Sequence, residues 1–147
     1  MPSIDISAGT IHYEASGPES GRPVVFVHGF MMSGQLWRQV SQRLAGAGLR
    51  CIAPTWPLGA HPEALRPGAD QAIAGVAHIV ADFLAALDLE DVVLVGNDTG
   101  GLNSRLLIDA CKPWSARTGT FRVAEHSASE KARACELWRR LVGRPLA

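Results

Sequence analysis

Two short apolar runs constrain this chain more than any other feature. Pro23-Val24-Val25-Phe26-Val27 and Asp91-Val92-Val93-Leu94-Val95 are continuous and rich in β-branched residues. Such runs read as strands buried on both faces of a parallel sheet. Each leads directly into a glycine-containing turn, His28-Gly29-Phe30 in one case and Gly96-Asn97-Asp98-Thr99-Gly100-Gly101 in the other. Parallel strands need crossover connections. The intervening sequence supplies them. A helix is expected over about 34–45, with Leu36, Trp37, Val40 and Leu44 on one stripe and Gly46 and Gly48 as stop signals. A strand follows over 49–53, ended by Pro54. The stretch 55–68 holds Pro57, Pro62 and Pro67 and reads as a surface loop. Ile73, Val76, Ala77, Val80, Phe83, Leu84 and Leu87 predict a second helix over about 70–87, and a third is expected over 102–110. Upstream, 4–8 and 10–14 read as two strands around Gly9, and Ile11 and Tyr13 alternate with polar residues. The expectation is an α/β fold: a mostly parallel sheet with helices on both faces. Function in such sheets gathers at the carboxyl ends of the strands.

Composition narrows the classes further. With 147 residues, 47% hydrophobic and 19% charged, the chain has material for one domain with a core. Its net charge of zero is a cancellation between a net of −5 over residues 1–101 and +5 over 102–147. The basic residues of the second part alternate with apolar ones, which fits a solvated face rather than a nucleic-acid patch. No apolar run approaches the ~18 residues of a membrane span. Met1-Pro2-Ser3-Ile4-Asp5 lacks the pattern of a secretory leader, so a cytoplasmic location is expected. Cys51, Cys111 and Cys135 have no metal-type spacing and are expected to be buried or free thiols, with no metal and no cofactor.

The second turn carries the chemistry. Gly96-Asn97-Asp98-Thr99-Gly100 is a G-x-D-x-G pattern between a buried strand and a helix. Small flanking residues allow a sharp reversal that lifts the central side chain above the sheet. A carboxylate on that apex can act as a nucleophile. The first turn can place a backbone amide opposite. The N–H groups of Phe30 and Thr99 would then form an oxyanion hole. His28, Gly29, Gly96, Asn97, Gly100 and Gly101 would shape the two turns. A bland alternative for Asp98 is a helix-capping role. Nucleotide binding is a third reading. It lacks both G-x-G-x-x-G and a P-loop lysine, and Asp98 would repel phosphate.

With these pieces in order, residues 1–111 resemble the N-terminal half of an α/β-hydrolase fold enzyme. The resemblance rests on Val24 to Phe30, the Trp37 helix, Cys51-Ile52-Ala53-Pro54 and Val92 to Gly101. Asp at the apex is similar to the branch containing haloalkane dehalogenases and epoxide hydrolases. That resemblance implies a small organic substrate (haloalkane, epoxide or ester type). Asp98 would attack carbon to form an ester, and histidine-activated water would then hydrolyse it. Three positions depart from the branch: Thr99 stands where a Trp donates to halide, Asn97 where His is frequent, and Thr55 where Asp is usual.

Residues 112–147 do not match that pattern. They offer a weak strand over 120–123 and a helix over about 129–142. The fold is therefore expected to stop after the elbow helix. Val92–Val95 would become an apolar sheet edge open to self-association, and the chain would resemble a fragment lacking the catalytic acid and histidine. His126 is the only histidine after the elbow and so the sole local candidate for a base, without a strand to position it.

Overall fold

The computed structural model describes residues 1–102 and 122–126. Six strands form one sheet: β1 (Ser3–Ile6), β2 (Gly9–Ser16), β3 (Pro23–Val27), β4 (Arg50–Pro54), β5 (Val93–Asn97) and β6 (Arg122–His126). Their order across the sheet is β1-β2-β4-β3-β5-β6. β1 and β2 form an antiparallel hairpin, and β2 pairs antiparallel with β4. The pairings of β4 with β3, β3 with β5 and β5 with β6 are parallel.

The two apolar runs explain the layering. Side chains alternate across a strand, so one run feeds two cores. Val24 and Phe26 of β3 join Cys51, Ala53 and Val93 on one face, under Trp37 and Leu44. Trp37 belongs to a short 3-10 helix (Gly34–Trp37) and Leu44 to α1 (Arg38–Gly46). The Trp37 ring stacks on Phe26 with centroids 4.9 Å apart, which makes it a core residue. Val25, Val27, Ile52, Val92 and Leu94 face the other way, against Ala77, Val80, Phe83 and Leu84. These last four lie on α2 (Ile73–Ala86).

Several boundaries differ from expectation. The helix expected over 34–45 begins as a tighter 3-10 turn. The strand expected over 91–95 pairs over Val93–Asn97, so it carries Gly96 and Asn97 to the sheet's end. The helix after it, α3, starts earlier, at Thr99, and is described to Leu102. The surface-loop reading of 55–68 needs correction at its start. Trp56 is fully buried, its indole N–H donating to the Phe26 carbonyl at 2.9 Å and its ring packing edge-on against Phe83. Four nearby prolines describe the backbone there but say nothing about an indole that needs a core.

The sheet edge expected at Val92–Val95 is covered. β6 pairs with β5 from Val93↔Arg122 to Asn97↔His126, so β5 has a partner on each side. The weak strand signal at 120–123 thus corresponds to a strand shifted toward the C-terminus. The helix expected over 129–142, the remainder of the third helix, Cys111 and Cys135 lie outside the described residues. Cys51 is a free thiol on β4, and burial pushes its pKa up to about 11. Among the described residues, no helix is long and apolar enough to cross a membrane.

Candidate active site

The carboxyl ends of β3 and β5 bring the two glycine turns side by side, in register from Val24↔Val93 to Val27↔Gly96. Asp98 is the first residue beyond β5, with φ 56°. A non-glycine residue rarely adopts that left-handed conformation without a compensating reason. Here it turns the chain from β5 into α3 within one residue and leaves the Asp98 side chain exposed at the edge of the sheet.

Two glycines make room for the reversal. A Cβ on Gly100 would lie 2.5 Å from the Val27 carbonyl oxygen, so α3 packs directly against the end of β3. A Cβ on Gly29 would lie 2.7 Å from Asp98 Oδ2 and 2.8 Å from Asp98 Cβ. The carboxylate therefore rests over the bare backbone of the first turn. Gly96 is buried and Asn97 half-buried at the end of β5, while Gly101 continues α3.

The Phe30 amide reaches this group through a hydroxyl. Phe30 N–H donates to Thr99 Oγ1 at 2.8 Å, and Thr99 Oγ1 in turn donates to Asp98 Oδ2 at 3.4 Å. From the sequence only the backbone N–H of Thr99 was a candidate contributor. Its side chain is what joins the two turns. A hydroxyl next to the turn apex, at the start of a helix, is the sequence signal for such a bond.

His28 serves the backbone. It is fully buried; Nδ1 donates to the Gly29 carbonyl at 2.8 Å and Nε2 accepts from Trp56 N–H at 2.8 Å. The Trp56 bond requires an unprotonated Nε2, which fixes the neutral Nδ1–H tautomer. Burial lowers the His28 pKa, and the bond to Gly29 opposes that shift in part. His28 thus ties the first turn to the loop after β4. Thr55, in the same loop, accepts the Gly34 amide at 3.1 Å. Phe30 and Met31, which follow Gly29 on the first turn, are 61% and 67% exposed. His126 ends β6 in register with Asn97, one residue before the apex. Among the described residues, no group of three or more His, Cys, Asp or Glu side chains could hold a metal ion.

Comparison with known proteins agrees with this architecture. The family model of the alpha/beta hydrolase family matches residues 24–147. A haloalkane dehalogenase of Mesorhizobium japonicum is 34% identical over 100 residues, covering 68% of this chain and 30% of the relative. An epoxide hydrolase of Caballeronia sordidicola is 30% identical over 107 residues, covering 71% of this chain and 32% of the relative. The crystal structure of a putative ancestral haloalkane dehalogenase shares the fold with a TM-score of 0.66 at 23% identity, covering 85% of this chain and 41% of that one. The chain spans about a third of the length of the curated relatives it matches. With its parallel core, its strand–turn–helix elbow and a family match over most of its length, the chain belongs to the alpha/beta hydrolase family.

Proposed function

We propose that this chain carries the nucleophile of a hydrolase acting on small organic electrophiles of the haloalkane, epoxide or ester type, with Asp98 attacking carbon. The observation that carries the reading is the conformation of Asp98: a left-handed, non-glycine residue at the carboxyl edge of the sheet, its carboxylate seated over Gly29. A helix-capping Asp needs neither the positive φ nor the cleared space beneath it. The names of the relatives, haloalkane dehalogenase and epoxide hydrolase, support the same substrate class. Phe30, whose amide bonds Thr99, carries an exposed aromatic ring, which suits an apolar substrate.

In the first step one Asp98 carboxylate oxygen bonds to the substrate carbon. The carbon–leaving group bond breaks, and the halide or epoxide oxygen departs with the electron pair; an alkoxide then takes a proton from water. The product is an alkyl ester of Asp98; with an ester substrate the attack falls on the acyl carbon, the alkoxide or phenoxide leaves with the electron pair, and the product is a mixed anhydride that water cleaves in the same way. In the second step water adds to the ester carbonyl, passing through a tetrahedral oxyanion. Collapse releases the alcohol and restores the carboxylate. The Thr99 amide, in turns shaped by His28, Gly29, Gly96, Asn97, Gly100 and Gly101, serves that oxyanion directly; the Phe30 amide faces the same group with its N–H donated to Thr99 Oγ1. His126, at the end of β6, is the local candidate to activate the water.

The test is a stoichiometric one. The full chain is mixed with 1-bromobutane, 1,2-epoxybutane or phenyl butyrate, and bromide, diol or phenol is measured against protein. At least one equivalent from one of the three substrates, lost in Asp98→Asn, supports the reading. Equal release by Asp98→Asn refutes it.

A further inference from the structure

We propose that the Thr99 side chain is a working part of the oxyanion hole: its hydroxyl relays the Phe30 amide to the carboxylate oxygen of Asp98 that becomes the oxyanion. This rests on the reading of Asp98 as a covalent nucleophile and goes beyond it, because it assigns the two carboxylate oxygens different tasks.

The geometry has one direction. An amide can only donate, so Phe30 N–H fixes Thr99 Oγ1 as its acceptor at 2.8 Å. The hydroxyl proton remains available to donate, and Asp98 Oδ2 lies 3.4 Å from Oγ1. A hydroxyl that accepts from an N–H is polarised into a better donor. Oδ2 is also the oxygen lying nearest the Gly29 backbone, at 2.7 Å from the position a Cβ would take. Oδ2 is thus held between the first turn and Thr99, and Oδ1 is left to attack. Once Oδ1 carries the alkyl group, Oδ2 is the ester carbonyl oxygen. Addition of a nucleophile to Cγ moves the carbonyl π electrons onto Oδ2. The Thr99 hydroxyl keeps its proton and tightens its hydrogen bond as that charge grows. A bond of 3.4 Å in the resting state has room to shorten, so it favours the transition state over the ground state.

Thr99 therefore acts mainly on the second step. A merely structural Thr99 would affect ester formation and ester cleavage alike. The experiment separates them with an external nucleophile, so that no residue of the chain is needed to activate water. The full chain is alkylated with 1-bromobutane or 1,2-epoxybutane, excess reagent is removed, and hydroxylamine is added. Loss of the adduct mass is followed by mass spectrometry in the natural chain, Thr99→Ser and Thr99→Val. We expect Thr99→Ser to lose its adduct at close to the natural rate. Thr99→Val should form the adduct readily but lose it about 10- to 100-fold more slowly, in line with removal of one oxyanion donor. If Thr99→Val loses its adduct as fast as the natural chain or faster, the hydroxyl blocks the Phe30 amide or stands idle, and the relay is overturned while the Asp98 reading survives. If Thr99→Val fails to fold, the comparison passes to Thr99→Ser and Thr99→Ala, with the same ordering required. If the natural chain forms no adduct on Asp98, both readings fall together.

Discussion

Gly29→Ala is the sharpest perturbation of the site, because the new methyl group has one neighbour to displace. Its Cβ would sit 2.7 Å from Asp98 Oδ2, 2.8 Å from Asp98 Cβ and 3.2 Å from Asp98 Cγ. Ordinary contact begins near 3.4 Å, so the whole Asp98 side chain has to move by roughly 0.6–0.7 Å. Asp98 is exposed, so Oδ2 can swing toward solvent, but Cβ is fixed by the backbone and the Asp98 turn itself has to give. The stability cost then falls in the middle of the overpacking range, about 2 kcal/mol. That corresponds to a drop in Tm of about 4–8 °C for a domain of this size. Reactivity responds far more. A misplacement of about 1 Å at a reacting atom costs on the order of 100-fold, and a shift somewhat smaller predicts about 10- to 50-fold slower ester formation. Differential scanning fluorimetry and the time course of adduct mass give the two quantities on one sample. The reasoning is refuted if Gly29→Ala forms adduct within about twofold of the natural rate. It is refuted equally if the variant loses reactivity only in proportion to unfolded protein.

Two further outcomes follow from the same turns. Gly100→Ala drives a methyl group against backbone, 2.5 Å from the Val27 carbonyl oxygen, which has no rotamer to yield; we expect a cost of about 2–3 kcal/mol, read as a lower denaturation midpoint with unchanged slope. His28 makes stability pH-dependent with a definite sign. Its folded pKa lies below the usual 6.5, so the unfolded chain takes up the proton first as pH falls. The contribution of His28 is complete above about pH 6.5 and is lost progressively below it, down to the folded pKa, with a slope of at most about 1.4 kcal/mol per pH unit. Chemical denaturation between pH 8 and 5 should show this loss in the natural chain and a shallower one in His28→Gln.

The architecture was legible because the strongest signals were redundant. A run such as Val24–Val27 has apolar residues at both parities, and only a two-faced sheet buries both. The glycine turns were legible for a similar reason: Gly29 and Gly100 sit where a Cβ would strike another chain segment. Legibility failed where a residue's role depends on distant partners. Trp56 lies in a proline-rich segment, and its burial follows from the Phe26 carbonyl and the His28 ring, which are 30 and 28 residues away. At Thr99 the sequence points to the amide, because the backbone has a fixed place in such a turn while a hydroxyl can rotate several ways. β6 is hard to read for the opposite reason: Arg122-Val123-Ala124-Glu125-His126 has little apolar content to mark a strand, although its backbone pairs in parallel with β5.

The claim that Asp98 is a covalent nucleophile is tested most directly by locating the bond it would form. The full chain is treated with 1-bromobutane or 1,2-epoxybutane, quenched in acid, digested and sequenced by tandem mass spectrometry. The account predicts a butyl or hydroxybutyl ester on the Asp98 side chain, cleaved by hydroxylamine and absent from Asp98→Asn. A modification found on a histidine, a cysteine or another carboxylate, with the Asp98 peptide unchanged, would contradict it.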